Sequence, residues 1–224
     1  MEDKDFSCYR SRLLKIATTN ISDAMDALNL KGATYGISPI WAGAGKIAGR
    51  AVTIRMIPTG LTQPEAHASM EAIDVAQEGD IIVIDGGGRL DTNCWGGVVA
   101  TGAKMKKLSG VVVDGAVRDV DDYVELKFPV YARGTVVTTA RGRTIIDGTN
   151  IMIQFGGVQV RPGDIVFADL SGVVIIPQER LDDVLEKAET LYDREQRMIK
   201  DILAGMSMEE ADSKYQYHYC PAKR

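Results

Sequence analysis

The chain has 224 residues, 45% of them apolar and 25% charged, with a formal net charge of −5 and no basic stripe. That balance is average for globular proteins, which excludes disordered, collagenous and membrane-spanning classes and disfavours nucleic acid as a partner. The length suits one sizeable core, so a single domain over 1–224 is predicted; the charged opening "MEDKDFSCYR" and three scattered cysteines point to a reducing, cytoplasmic setting.

Apolar residues recur at helical spacing from Ser11 to Leu28, with a break at "TTN" where Thr19 or Asn20 is expected to cap a second short helix. A glycine-rich connection leads to "RAVTIRMI", which alternates like a strand, and residues 64 to 77 look helical. "EGDIIVIDGGG" reads as a strand entering a glycine loop, and "NCWGGVVATGAKMKKL" as a helix opened by Asn93. A strand at 110–114, a short helix near 119–127 and a strand at "PVYARG" follow, so the middle of the chain is α/β with partly parallel strands. Short strands are then expected at 135–139, 151–154, 158–160, 164–168 and 172–176, and a long amphipathic helix from Gln178 to Leu203. "EGDIIVIDGGG" and "PGDIVFADLSGVVIIP" echo one another, as two similar turns feeding neighbouring strands would. The aromatic tail "KYQYHYC" reads as a docking contact or disorder.

Two loops carry chemistry. In "VVVDGAVRDVDDY" a buried strand ends in Arg118 and Asp119, where ligands of open α/β sheets collect. The Arg118 fork suits a carboxylate or phosphate, and Asp119 is a hard oxygen ligand for a divalent cation. Asp122 lies one helical turn beyond Asp119, whereas Asp121 points elsewhere. The alternative is that Asp119 only caps a helix, Asp122 is solvated and Arg118 makes a surface ion pair. In "IDGGGRLDTNCWGG" three glycines precede a helix start and can receive an anion on their amides, although a plain glycine turn explains them equally and no dinucleotide or phosphate-loop pattern is present. His67 and Cys94 read better as packing residues than as a base or a reactive thiol.

Taken together, the block from "GDIIVIDGGG" to "FPVYARG", with "GKIAGRAVTIR", "PGDIVFADLSGVVIIP" and "AGMSMEE", resembles the family that joins 4-hydroxy-4-methyl-2-oxoglutarate/4-carboxy-4-hydroxy-2-oxoadipate aldolases to the ribonuclease E inhibitor RraA. The similarity covers about residues 15 to 210, leaving 211–224 as a tail. The resemblance implies an α/β/β/α sandwich of the swivelling-domain type, assembled as a homotrimer or hexamer. It also implies a divalent metal, Mg²⁺ or Mn²⁺, a small 2-oxo acid substrate and pyruvate as product. By the same resemblance Arg118 grips the substrate carboxylate, Asp119 holds the metal, and the amides of Gly96, Gly97 and Val98 help to hold the substrate; Gly87 and Gly88 of the glycine loop are further candidates for that role.

One departure stands out: the aspartate that the aldolases carry twenty-one positions before the arginine is Gly97 here, giving G-x20-R-D-x2-D. Asp122 is expected to replace it as the second carboxylate and metal ligand. The resemblance also implies a further acid from the last long helix of an adjoining subunit, for which Glu195 fits best and Asp193 competes. The expected activity is metal-dependent retro-aldol cleavage or oxaloacetate decarboxylation, since both leave the same enolate, whose charge needs a positive partner in place. The alternative is a non-catalytic regulator that binds a ribonuclease or helicase. A menaquinone methyltransferase role finds no cofactor-binding pattern to support it.

Overall fold

The computed structural model describes residues 3–60 and 68–217. In chain order the elements are α1 (Asp3–Leu13), α2 (Thr18–Ala27), β1 (Ser38–Pro39), β2 (Ile47–Pro58), α3 (Ala68–Val75), β3 (Ile81–Asp85), β4 (Asn93–Trp95), α4 (Gly97–Met105), β5 (Gly110–Val117), α5 (Val120–Leu126) and β6 (Val130–Thr135). They continue with β7 (Thr144–Thr149), β8 (Ile153–Phe155), β9 (Val158–Val160), β10 (Ile165–Asp169), β11 (Gly172–Ile176), a single 3₁₀ turn over Gln178–Arg180, α6 (Leu181–Leu203) and α7 (Met208–Tyr215).

The main sheet runs β1-β6-β5-β3-β2-β10-β11, with β2, β3, β5 and β6 parallel and β1, β10 and β11 antiparallel to their neighbours. The segment before β1 returns to β11 through the bridge Ala33–Val174, so the sheet nearly closes on itself. Alternation along each strand then sorts side chains into separate cores. Ile82 and Ile84 of β3 pack with Ala100, Ala103 and Tyr123 of the α3–α5 layer, whereas Ile81 and Val83 pack with Val166, Ala168 and Phe155 between the sheets. On the far side Ile165 and Phe167 of β10 meet Leu13, Ile21 and Met25 of α1 and α2 and Val184 and Leu185 of α6. The result is the expected α/β/β/α sandwich.

The two echoed segments make the same turns. Gly79 and Gly163 have positive φ, and Asp80 and Asp164 each accept the backbone N–H three residues earlier, from Gln77 and Arg161, at 2.8 Å. Downstream, Asp85 accepts from Gly87 N at 3.0 Å and Asp169 from Ser171 N at 2.8 Å. The strands they feed, β3 and β10, do not pair with each other but flank β2 on either side.

Several local expectations are corrected. Thr19 does not cap the second helix, and Asn20 does so from inside it: α2 begins at Thr18 after Ala17, Asn20 Oδ1 accepts Ala17 N–H at 3.2 Å, and Asp169, 151 residues away, accepts Thr18 N at 2.9 Å and Thr18 Oγ1 at 2.8 Å. Asn93 does not open a helix. Because β5 runs past the end of β3, residues 93–95 fill the exposed edge beside Ala116 and Val117 as a strand, and the helix starts at Gly97. No strand spans 135–139, since β6 ends at Thr135; β7, which the glycine of "TIIDGT" disguised as a turn, supplies the missing edge of β2. Residues 208–215 form a helix that runs from the end of the expected core into the expected tail, and Ser207 and Glu210 cap it reciprocally. The helix expected from residue 64 is seen from Ala68; its first residues, with His67, His218 and Cys220, lie outside the described residues.

Candidate functional site

Every residue of β5 is buried, and the first one past it is Arg118. Its backbone N–H donates to Trp95 O at 3.1 Å, which fixes the rim where β4 and β5 end. Asp119 follows with φ +60° and ψ +46°, a left-handed conformation that costs a non-glycine residue free energy. It stands at the N-cap of α5 but makes no side-chain cap there. Its Oδ2 instead accepts the N–H of Gly97, the first residue of α4, at 3.0 Å. The strained backbone thus aims the carboxylate across the rim at a neighbouring helix start. Arg118 Nε stands 3.4 Å from the same oxygen, yet is closed to solvent without a hydrogen bond among the described residues.

The Gly96–Gly97 pair lets these groups meet. A β-carbon at Gly96 would stand 2.8 Å from Asp119 Oδ2, and one at Gly97 would collide with the carboxylate of Asp122. Asp122 therefore fills the volume that a side chain at 97 would take. Tyr123, on the same helix, donates its hydroxyl to Trp95 O at 3.1 Å, tying α5 to the end of β4. Burial, with Asp119 nearby, pushes its phenol above the usual range, so it stays a donor at neutral pH. In α4 the second and third amides, of Val98 and Val99, have no intrahelical acceptor.

The remaining expected residues are placed differently. Gly87 and Gly88 have φ of +64° and +71°, and the side chains nearest Gly88 are Arg133 and Asp114 rather than Arg118. Cys94 Sγ is wedged against the backbones of Gly86 and Gly115, and burial pushes the thiol up to about 12, which makes it a packing group. Glu195 accepts a hydrogen bond from Asn20 Nδ2 at 2.6 Å and belongs to the outer layer formed by α1, α2 and α6, across the sandwich from α4 and α5. Asp193 and Asp121 are exposed. Asp114 and Arg133 escaped the sequence reading, although an acid inside an apolar parallel strand requires a partner, and a cation on the next strand was the signal to look for.

Residues 18–175 match the RraA-like family, described as Aldolase/RraA. The chain belongs to this family. The RraA-like chain is 33% identical over 206 residues to protein DlpA of Legionella pneumophila, which covers 92% of this chain but only 33% of DlpA, so it spans about a third of that relative. It is 36% identical over 173 residues to a Halalkalibacterium halodurans protein whose name proposes 4-hydroxy-4-methyl-2-oxoglutarate aldolase activity, covering 77% of this chain and 78% of the relative. A crystal structure of an uncharacterized protein from Pseudomonas syringae pv. tomato superposes on the RraA-like chain with a TM-score of 0.81 at 27% identity, covering 92% of this chain and 96% of the other.

Proposed function

We propose that this protein is a divalent-metal-dependent lyase that releases pyruvate from a small 2-oxo acid, by retro-aldol cleavage or by decarboxylation of oxaloacetate. One observation carries the reading: the Asp122 carboxylate occupies the side-chain volume that Gly97 gives up, beside Asp119 and Arg118. The donor set fits Mg²⁺ or Mn²⁺, because both candidate ligands are hard carboxylates at one rim. Among the described residues no third His, Cys, Asp or Glu joins them, which suits a cation that keeps several waters or substrate oxygens.

Arg118 would receive the substrate carboxylate on its outer nitrogens, since Nε is turned to Asp119. Gly97 N–H holds Asp119 in one orientation, and the α4 amides of Val98 and Val99 offer donors to a developing anion at a helix N-terminus. Breaking the C3–C4 bond, one carbon beyond the 2-oxo group, leaves its electron pair on C3 as the pyruvate enolate, while C4 departs as a carbonyl compound once its hydroxyl has lost a proton, or as CO₂ from oxaloacetate. Arg118 stabilises the enolate until a proton on C3 restores the methyl group. A cation held by Asp119 and Asp122 would supply positive charge for the keto oxygen. Glu195, across the sandwich from this rim, would serve a second copy of the chain, in keeping with a trimer or hexamer.

The test follows pyruvate release from oxaloacetate and from 4-hydroxy-2-oxo acids, above the protein-free rate, with Mg²⁺, Mn²⁺ or a chelator. Metal-dependent pyruvate formation is expected. Turnover that survives complete chelation rejects the metal, and no turnover together with tight capture of a ribonuclease or helicase turns the assignment to a regulator.

A further inference from the structure

The glycine bend carries an arginine of its own. Along β6, Val130 and Ala132 face the α3–α5 layer and Tyr131 faces the space between the sheets, so Arg133 follows Tyr131 to that side. There its Nε donates to Oδ1 of Asp114, a buried carboxylate whose Oδ2 accepts Gly156 N–H at 2.6 Å. Neighbouring Asp85 is engaged in the same way, by Gly87 N at 3.0 Å and Gln154 N at 3.4 Å. Both acids are thus satisfied by N–H donors, and the guanidinium is oriented from behind through Nε alone.

Its outer edge is left open. The side chain is 28% exposed, and the two terminal nitrogens have no hydrogen-bond partner among the described residues. Gly36 helps to keep it so: a β-carbon there would stand 2.6 Å from Nη1, and the position has φ of +71°. A side chain at Gly36 would cover the fork. Arg133 also rises on the strand next to β5, with Gly134 and Thr135 paired to Ala116 and Val117, so it shares a rim with Arg118.

We propose that Arg133 is a specificity-determining residue that receives the distal carboxylate of a dicarboxylic 2-oxo acid whose 2-oxo end lies at Arg118. This rests on the 2-oxo acid reading above. A guanidinium held by one buried acid, with its other edge free, matches a carboxylate in bidentate fashion and loses little freedom on binding.

Titration calorimetry with 2-oxoglutarate and with pyruvate, in the presence of Mg²⁺, tests the proposal alongside the pyruvate-release assay. The native chain should bind 2-oxoglutarate on the order of tenfold more tightly than pyruvate. Arg133→Lys keeps a cation beside Asp114 but loses the fork; it should erase that preference while leaving pyruvate affinity and the melting temperature unchanged. Arg118→Lys should weaken both ligands. A preference that survives Arg133→Lys, or equal loss for both ligands in that variant, overturns the assignment, as does binding of neither ligand to the native chain. A preference that depends on Arg133 in a chain that releases no pyruvate keeps the recognition role and rejects the lyase.

Discussion

Gly97 and Asp122 share one volume, and this gives the residue-scale prediction. Asp122→Asn should lower kcat/KM for pyruvate release at least about tenfold, or about 1.4 kcal/mol, while the melting temperature barely moves, because the side chain is exposed. Gly97→Asp alone places a second carboxylate into the first and should fare no better. The double variant Gly97→Asp, Asp122→Gly returns a carboxylate to the shared space and should recover most of the activity. A double variant no more active than Asp122→Asn would show that the two positions are not equivalent. The sequence supplied the pair by spacing, Asp119 and Asp122 one helical turn apart, but not the reason they converge. That reason is the left-handed backbone at Asp119, which sends its carboxylate to Gly97 N–H instead of to its own helix.

At the scale of elements, the helices begin where distant residues allow. Ala17 cannot cap α2, and the buried Asp169 at the end of β10 takes that part. Asp169→Asn leaves one acceptor oxygen for three donors, Thr18 N, Thr18 Oγ1 and Ser171 N, and turns an amide N–H₂ toward at least one of them. It should cost about 1–2 kcal/mol and lower the melting temperature by roughly 2–8 °C, read by circular dichroism. Periodicity found α2, α4, α5 and α6 and the central strands because their patterns are local. It missed β4 and β7, whose short sequences become strands only because β5 and β2 extend past their other neighbours and expose an edge.

Across the whole molecule, α1 is tied to α6 by Arg12, whose Nε and Nη2 donate to the two oxygens of Glu189 at 2.8 and 2.7 Å. That hydrogen-bonded pair holds the Glu189 carboxyl below its ordinary range. Its contribution is therefore complete above the unfolded-state value and is lost as the pH falls through the lower folded-state value. Both side chains are about a third exposed, so solvent limits the effect to roughly 0.5 kcal/mol. Melting temperatures measured from neutral pH down through the carboxylate range should fall less steeply for Glu189→Gln than for the native chain. Equal slopes would mean that the pair contributes nothing. No helix among the described residues is long and apolar enough to cross a membrane.

The sequence by itself determined the α/β class, the family and the rim residues Arg118, Asp119 and Asp122, because strand alternation, helix spacing and a contiguous motif are all written within a few residues of one another. Only the tertiary structure decided that Gly88 stands beside Arg133 and not Arg118, and that Glu195 lies across the sandwich from the rim. It also decided that Asp114 joins β5 to Arg133 and to Gly156. Those relations depend on which strands become neighbours, and strand order is set by the packing of three shared cores rather than by any local pattern.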